Sequence, residues 1–232
     1  MILNGFDEGT SQLVEIVDFN SNLTTCANLP NYPLVVRGSF GGLLDNKVPL
    51  VCGGPSVREC YQYNQGQWQL SFPMKENRFH ANGIVTSPYK NSLQKFYVIG
   101  GSSPNSEVLT STGWETIMSP QPKTFYMSCI VTLDETSFML LGSFGIEKET
   151  YIFNAATNTW TSGPSLITGR RGTGCGKIAE SSTSNKQIIV AAGGEQTPRL
   201  IEFLDGVNSK WRAGIKNKKN PIEKMLYPML FV

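Results

Sequence analysis

The chain has 232 residues, enough to bury a sizeable core as one or two domains without covalent staples. Charged residues are only 16 % and the formal net charge is +2, so nothing in the charge balance points to nucleic acid or an anionic membrane. No apolar run nears the ~18 residues of a membrane-spanning helix, and 23 glycines with few charges suit a compact all-β protein with many tight turns.

The first strand signal is Met1-Ile2-Leu3-Asn4-Gly5, and the second is Val14-Glu15-Ile16-Val17-Asp18-Phe19-Asn20. The residues before Gly9 lack the basic start and long apolar stretch of a secretory leader. That favours a cytoplasmic chain. The sequon Asn22-Leu23-Thr24 keeps an exported chain open as the alternative.

Four longer units follow, at about residues 34–70, 79–118, 125–166 and 172–215. The third shows the pattern best. Tyr126-Met127-Ser128-Cys129-Ile130-Val131, Phe138-Met139-Leu140-Leu141, Tyr151-Ile152-Phe153 and Thr159-Trp160-Thr161 are short apolar or β-branched runs separated by Gly, Asn, Asp and Ser. That is strand punctuation. The tryptophans at 68, 114, 160 and 211 are spaced by 46, 46 and 51 residues. Gly53-Gly54, Gly100-Gly101, Gly142-Ser143 and Gly193-Gly194 end the second runs at intervals of 47, 42 and 51. Two markers sharing one period define a repeat of four strands each. The last run, from Met225 to Val232, reads as a first strand with nothing after it, just as the N-terminus reads as strands two to four with no first strand.

Five cysteines is an odd number, and none forms a Cys-x-x-Cys pair, so neither a disulfide scaffold nor a structural zinc is expected. Cys129 and Cys175 read as buried strand thiols. Cys26, Cys52 and Cys60 lie close enough for one disulfide in an exported protein. His80 is the sole histidine, which leaves little for acid–base catalysis. No Gly-x-Ser-x-Gly elbow and no phosphate loop accompany it. Gly172-Thr173-Gly174-Cys175-Gly176 is Gly-rich, but it opens a strand rather than a helix.

The apolar run, Gly pair, third-strand aromatic and fourth-strand Trp resemble the kelch repeat. The resemblance is carried by Tyr97-Val98-Ile99-Gly100-Gly101 with Trp114, by Val190-Ala191-Ala192-Gly193-Gly194 with Trp211, by Leu50-Val51-Cys52-Gly53-Gly54 with Tyr61 and Trp68, and by Tyr151 with Trp160. It implies a single all-β domain over 1–232, a β-propeller of four-stranded antiparallel blades. Five blades are expected, the fifth a composite of 1–30 and 225–232. The alternative is a fragment of a six-bladed ring. Galactose-oxidase-like copper sites need more imidazoles than this chain has, and the repeated boxes of sialidase-like propellers are missing. An enzyme of either kind is the least favoured reading, and neither metal nor cofactor is expected.

What remains is a non-catalytic interaction module, taking a protein or peptide partner at its loop rim. A secreted carbohydrate- or matrix-binding propeller is the alternative. In the resembling family, the loops after strand two and those leading into strand one share one face. Here that places Arg58, Arg78, His80, Ser102, Lys123, Arg170, Arg171 and Glu195 as candidate partner-binding residues. Their guanidinium groups suit an acidic peptide. The competing reading of the same arginines is structural, pairing with Glu59, Glu76 or backbone carbonyls to stitch blades together. A monomer is expected, with no nucleic-acid or membrane partner.

Overall fold

A computed structural model of the chain describes residues 2–3, 12, 14–16, 27–44, 47–86, 95–180, 186–195, 197 and 199–214. Its described secondary structure is strand and turn, with the exception of one short helical turn residue at Lys47. A three-stranded sheet comprises β1 (Ile2–Leu3), β2 (Val14–Ile16) and β3 (Ala27–Asn28). Four four-stranded sheets follow. Blade 1 holds β4 (Phe40–Leu43), β5 (Pro49–Cys52), β6 (Cys60–Asn64) and β7 (Gln67–Leu70). Blade 2 holds β8 (Ala81–Thr86), β9 (Lys95–Gly100), β10 (Glu107–Thr110) and β11 (Gly113–Thr116). Blade 3 holds β12 (Cys129–Thr132), β13 (Ser137–Leu141), β14 (Thr150–Asn154) and β15 (Thr159–Ser162). Blade 4 holds β16 (Gly174–Ala179), β17 (Gln187–Ala192), β18 (Ile201–Leu204) and β19 (Arg212–Ala213).

Within each blade the strands run up and down in sequence order, all antiparallel. The first strands of successive blades, β4, β8, β12 and β16, lie side by side around the axis. This is a β-propeller. The N-terminal sheet has the order expected for strands two to four of a fifth blade. The strand expected to complete it, 225–232, lies outside the described residues.

The continuous apolar character of the second strands has a simple cause. Alternate side chains point to opposite faces, and both faces of a blade are covered by neighbours. In β9, Phe96 and Val98 pack towards blade 1 with Leu50, Cys52 and Trp114. The intervening Tyr97 and Ile99 pack towards blade 3 with Phe138 and Leu140. In β13 the next pair, Met139 and Leu141, turns to Ile189 and Ala191 of blade 4. Val51 of β5 faces the other way, meeting Val14 of the N-terminal sheet and Tyr32. The tryptophans close the same seams from outside. Trp114 and Trp211 donate their indole N–H to the carbonyls of Phe72 and Pro164, both at 2.9 Å, in the preceding blade's exit, and Trp68 donates to Pro30 at 2.9 Å.

The Gly pairs mark where backbone of one blade meets the next. Gly100 has φ +74°, and a methyl group there would lie 2.1 Å from the carbonyl oxygen of Phe125. Gly101 donates its N–H to that same carbonyl at 2.6 Å. Where Ser143 replaces the second Gly, φ is not left-handed, and the side chain substitutes for the missing backbone geometry: its Oγ accepts the Tyr126 N–H at 2.8 Å.

The cysteines correct the sequence-based expectation. Cys129 and Cys175 are not thiols but a disulfide joining β12 to β16 across the seam between blades 3 and 4. Cys52 pairs with Cys60, directly opposite it on the neighbouring strand. Their separate positions looked unremarkable in sequence because the 46-residue gap between Cys129 and Cys175 is simply one repeat.

Candidate functional site at the axial mouth

Each blade begins with the same three-residue device. The triplets are Val36-Arg37-Gly38, Arg78-Phe79-His80, Phe125-Tyr126-Met127 and Arg170-Arg171-Gly172. The third residue is left-handed in every case, with φ of 58°, 57°, 57° and 59°. That conformation disfavours most side chains, yet His80 and Met127 adopt it. A backbone chain around the axis holds them there. His80 N–H donates to the Gly38 carbonyl at 3.0 Å, Met127 N–H to the His80 carbonyl at 3.4 Å, and Gly172 N–H to the Met127 carbonyl at 2.7 Å.

The first residue of each triplet is a buried anchor, and it comes in two kinds. Arg78 is fully buried. It pairs with Glu107 at 2.8 Å and donates to the Gly100 carbonyl at 2.9 Å. Arg170 repeats this with Glu202 at 3.0 Å and the Gly193 carbonyl at 2.6 Å. Each Glu also accepts the two backbone N–H groups that lie three and two residues before the arginine: Lys75 and Glu76 for Glu107, Ile167 and Thr168 for Glu202. In blades 1 and 3 the anchors are Val36 and Phe125, and the position of the Glu is held by Tyr61 and Tyr151. The residue three before those anchors is Pro33 or Pro122, which has no N–H to satisfy. Arg, Glu and a free N–H occur together, and so do an apolar anchor, Tyr and Pro.

This overturns two of the sequence-predicted partner-binding residues. Arg78 and Arg170 are internal, with 0 % and 1 % exposure, and no ligand at the surface meets their guanidinium groups. The structural reading of these arginines holds, though through Glu107 and Glu202 rather than Glu59 or Glu76.

The second residues, Arg37, Phe79, Tyr126 and Arg171, are half-buried and follow one another around the axis, one from each blade. The Arg37 guanidinium lies 5.6 Å from the Phe79 ring centre. Phe79 and Tyr126 are 6.1 Å apart, and the His80 ring sits 3.8 Å from Phe79 and 5.1 Å from Tyr126. Arg171 stacks 4.7 Å over Phe144 and binds Glu195 at 2.5 Å. Burial, followed by the Arg37 charge, pushes the His80 pKa down to about 4, while Glu195 pulls weakly the other way. The imidazole is therefore neutral at physiological pH, able to donate one hydrogen bond and accept another. Burial likewise raises the Tyr126 pKa, opposed by Arg37.

Of the predicted residues, the structure brings His80, Arg171 and Glu195 to this mouth. Ser102 is exposed and donates its hydroxyl to the Asn77 carbonyl at 3.2 Å. Its loop is stitched down by Glu76, whose carboxylate accepts the Ser103 hydroxyl and the Asn105 amide and is held below the usual carboxylate range chiefly by Ser103. Arg58 and Lys123 are exposed and lie outside the triplets. Arg37, Phe79, Tyr126 and Phe144 were missed. The signal was present in the repeat itself: aligning the triplets puts the first three at one position. Among the described residues no group of three or more His, Cys, Asp or Glu is placed to hold a metal ion.

Neither a family model nor a curated protein sequence matches the chain. The class that the fold defines is the β-propeller.

Proposed function

We propose that this chain is a non-catalytic, kelch-type interaction module that takes a protein or peptide partner at the axial mouth. The observation that carries the reading is the run Arg37, Phe79, Tyr126 and Arg171, one residue from each of four blades, held by a shared backbone device. Two guanidinium groups flank two aromatic rings. A rigid scaffold that presents unlike side chains from equivalent positions is suited to recognition, and Arg and Tyr are favoured as interface anchors. Guanidinium groups fit carboxylates, and the bond from Arg171 Nε to Glu195 uses only one of its five N–H donors, so the expected partner segment is acidic. An imidazole with a pKa near 4 is a poor general base at neutral pH, which supports a binding role over a catalytic one.

The test is selection of peptides from a random display library on the intact chain. Enriched peptides should carry Asp or Glu. Their binding should fall at least about tenfold in Arg37→Glu/Arg171→Glu, in keeping with loss of two charge-assisted contacts. Equal binding to that variant would remove the mouth from the account.

A second reading is an exported carbohydrate- or matrix-binding propeller, favoured by the two disulfides, since such bonds persist in oxidising compartments. Retention on a glycan array, with no peptide enriched, would select it over the first.

A further inference from the structure

The two disulfides occupy different environments. Cys52 and Cys60 are both fully buried inside blade 1. Cys129 is buried, but Cys175 is partly exposed, and their bond crosses between blades rather than within one. Cys129 lies two residues after Met127, whose carbonyl holds the Gly172 N–H at 2.7 Å. Cys175 lies three residues after Gly172. The bond therefore sits directly behind the triplets that carry Tyr126 and Arg171. At the preceding seam the strand position of Cys129 is taken by Asn82: each pairs with the residue before its blade's Gly142 or Gly100. Asn82 reaches across to the residue just before β12 by a hydrogen bond, its Nδ2 donating to Ser128 Oγ at 2.7 Å. One seam is thus bridged by a hydrogen bond and its neighbour covalently, from equivalent positions on the earlier blade.

We infer that Cys129–Cys175 is a redox clasp that sets the spacing of the mouth, while Cys52–Cys60 is a permanent staple. A dithiol reductant supplies two electrons and two protons. Its thiolate attacks the sulfur of the partly exposed Cys175, Cys129 leaves as thiolate and takes up a proton, and the second reductant thiol resolves the mixed disulfide, closing the reductant's own S–S bond and releasing both cysteines as thiols. The seam between blades 3 and 4 is then held by non-covalent contacts alone: the Gly172–Met127, Trp211–Pro164 and Lys177–Leu133 hydrogen bonds and apolar packing. Tyr126 and Phe144 on one side are then tied to Arg171 and Glu195 on the other only by contacts that can open, such as the Arg171–Phe144 stack. The inference does not depend on which ligand the mouth takes.

Dithiothreitol treatment of the intact chain under native conditions, followed by alkylation and peptide mapping, tests it. Cys129 and Cys175 should be labelled while Cys52–Cys60 stays oxidised. The Gly172 amide should then exchange about tenfold faster or more, as expected for a locally opened seam, in a chain that remains folded. Cys129→Ser/Cys175→Ser should show the same fast exchange with cooperative unfolding retained. Reduction of Cys52–Cys60 first or at the same rate, unchanged Gly172 exchange, or a double variant that does not fold would each overturn the proposal.

Discussion

The pairing of anchors with their partners makes a quantitative demand on blade 2. Arg78→Phe removes the guanidinium and leaves the Glu107 carboxylate buried, its side chain 1 % exposed, with only the Lys75 and Glu76 N–H groups as partners. Breaking a buried ion pair in this way costs roughly 3–5 kcal/mol. Blade 3 shows how the site is built without charge: Phe125 packs on Tyr151 with ring centres 5.6 Å apart, and Pro122 has no amide to satisfy. The triple variant Lys75→Pro/Arg78→Phe/Glu107→Tyr installs that arrangement. It still orphans the Glu76 N–H, at a cost of about 1–3 kcal/mol, but it removes the stranded carboxylate. Urea denaturation should place Arg78→Phe about 3–5 kcal/mol below the wild type and the triple variant well above the single one. A triple variant as unstable as Arg78→Phe, or worse, would show that the two kinds of anchor are not alternative solutions to one packing problem.

Three further outcomes are expected. Thiol counting on the denatured, unreduced chain should find one free thiol, because four of the five cysteines are paired; five would contradict both disulfides. Because the folded-state pKa of His80 is depressed to about 4 from 6.5, the unfolded chain takes up the proton first. Its contribution to stability is therefore present above pH 6.5 and lost as pH falls towards 4. His80→Asn, which tolerates the left-handed backbone, should lack that component, and parallel stability curves for the two proteins would contradict the assignment. Gly66→Ala places a methyl group in open space at φ +81° and should cost about 1–2 kcal/mol. Gly100→Ala drives one into the Phe125 carbonyl and should cost about twice that or more. Similar losses in thermal melts would mean that the Gly100 seam is not close-packed.

Most of the scaffold was legible in the sequence. The spacing of Trp68, Trp114, Trp160 and Trp211 and the Gly pairs located four blades, because each marks a contact that recurs once per repeat. The two-residue alternation within Phe96–Ile99 was hidden, since a strand buried on both faces reads as uniformly apolar. The site was less legible. Arg78 and Arg170 looked like rim cations because their partners, Glu107 and Glu202, lie 29 and 32 residues downstream, on a strand whose register sequence alone does not supply. The Cys129–Cys175 bond was hidden for the same reason. Arg37, Phe79 and Tyr126 carry no motif of their own. Their placement depends on a left-handed residue that follows each, and at His80 and Met127 no glycine advertises it.

The proposed recognition site is the axial mouth. Chemical-shift mapping of a selected acidic peptide on the isotope-labelled chain tests it most directly. The largest perturbations should fall on residues 37, 79, 80, 126, 171 and 195, with the amide chain through Met127 and Gly172 following. Perturbations confined to the outer strands β7, β11 and β15, with the mouth silent, would contradict it.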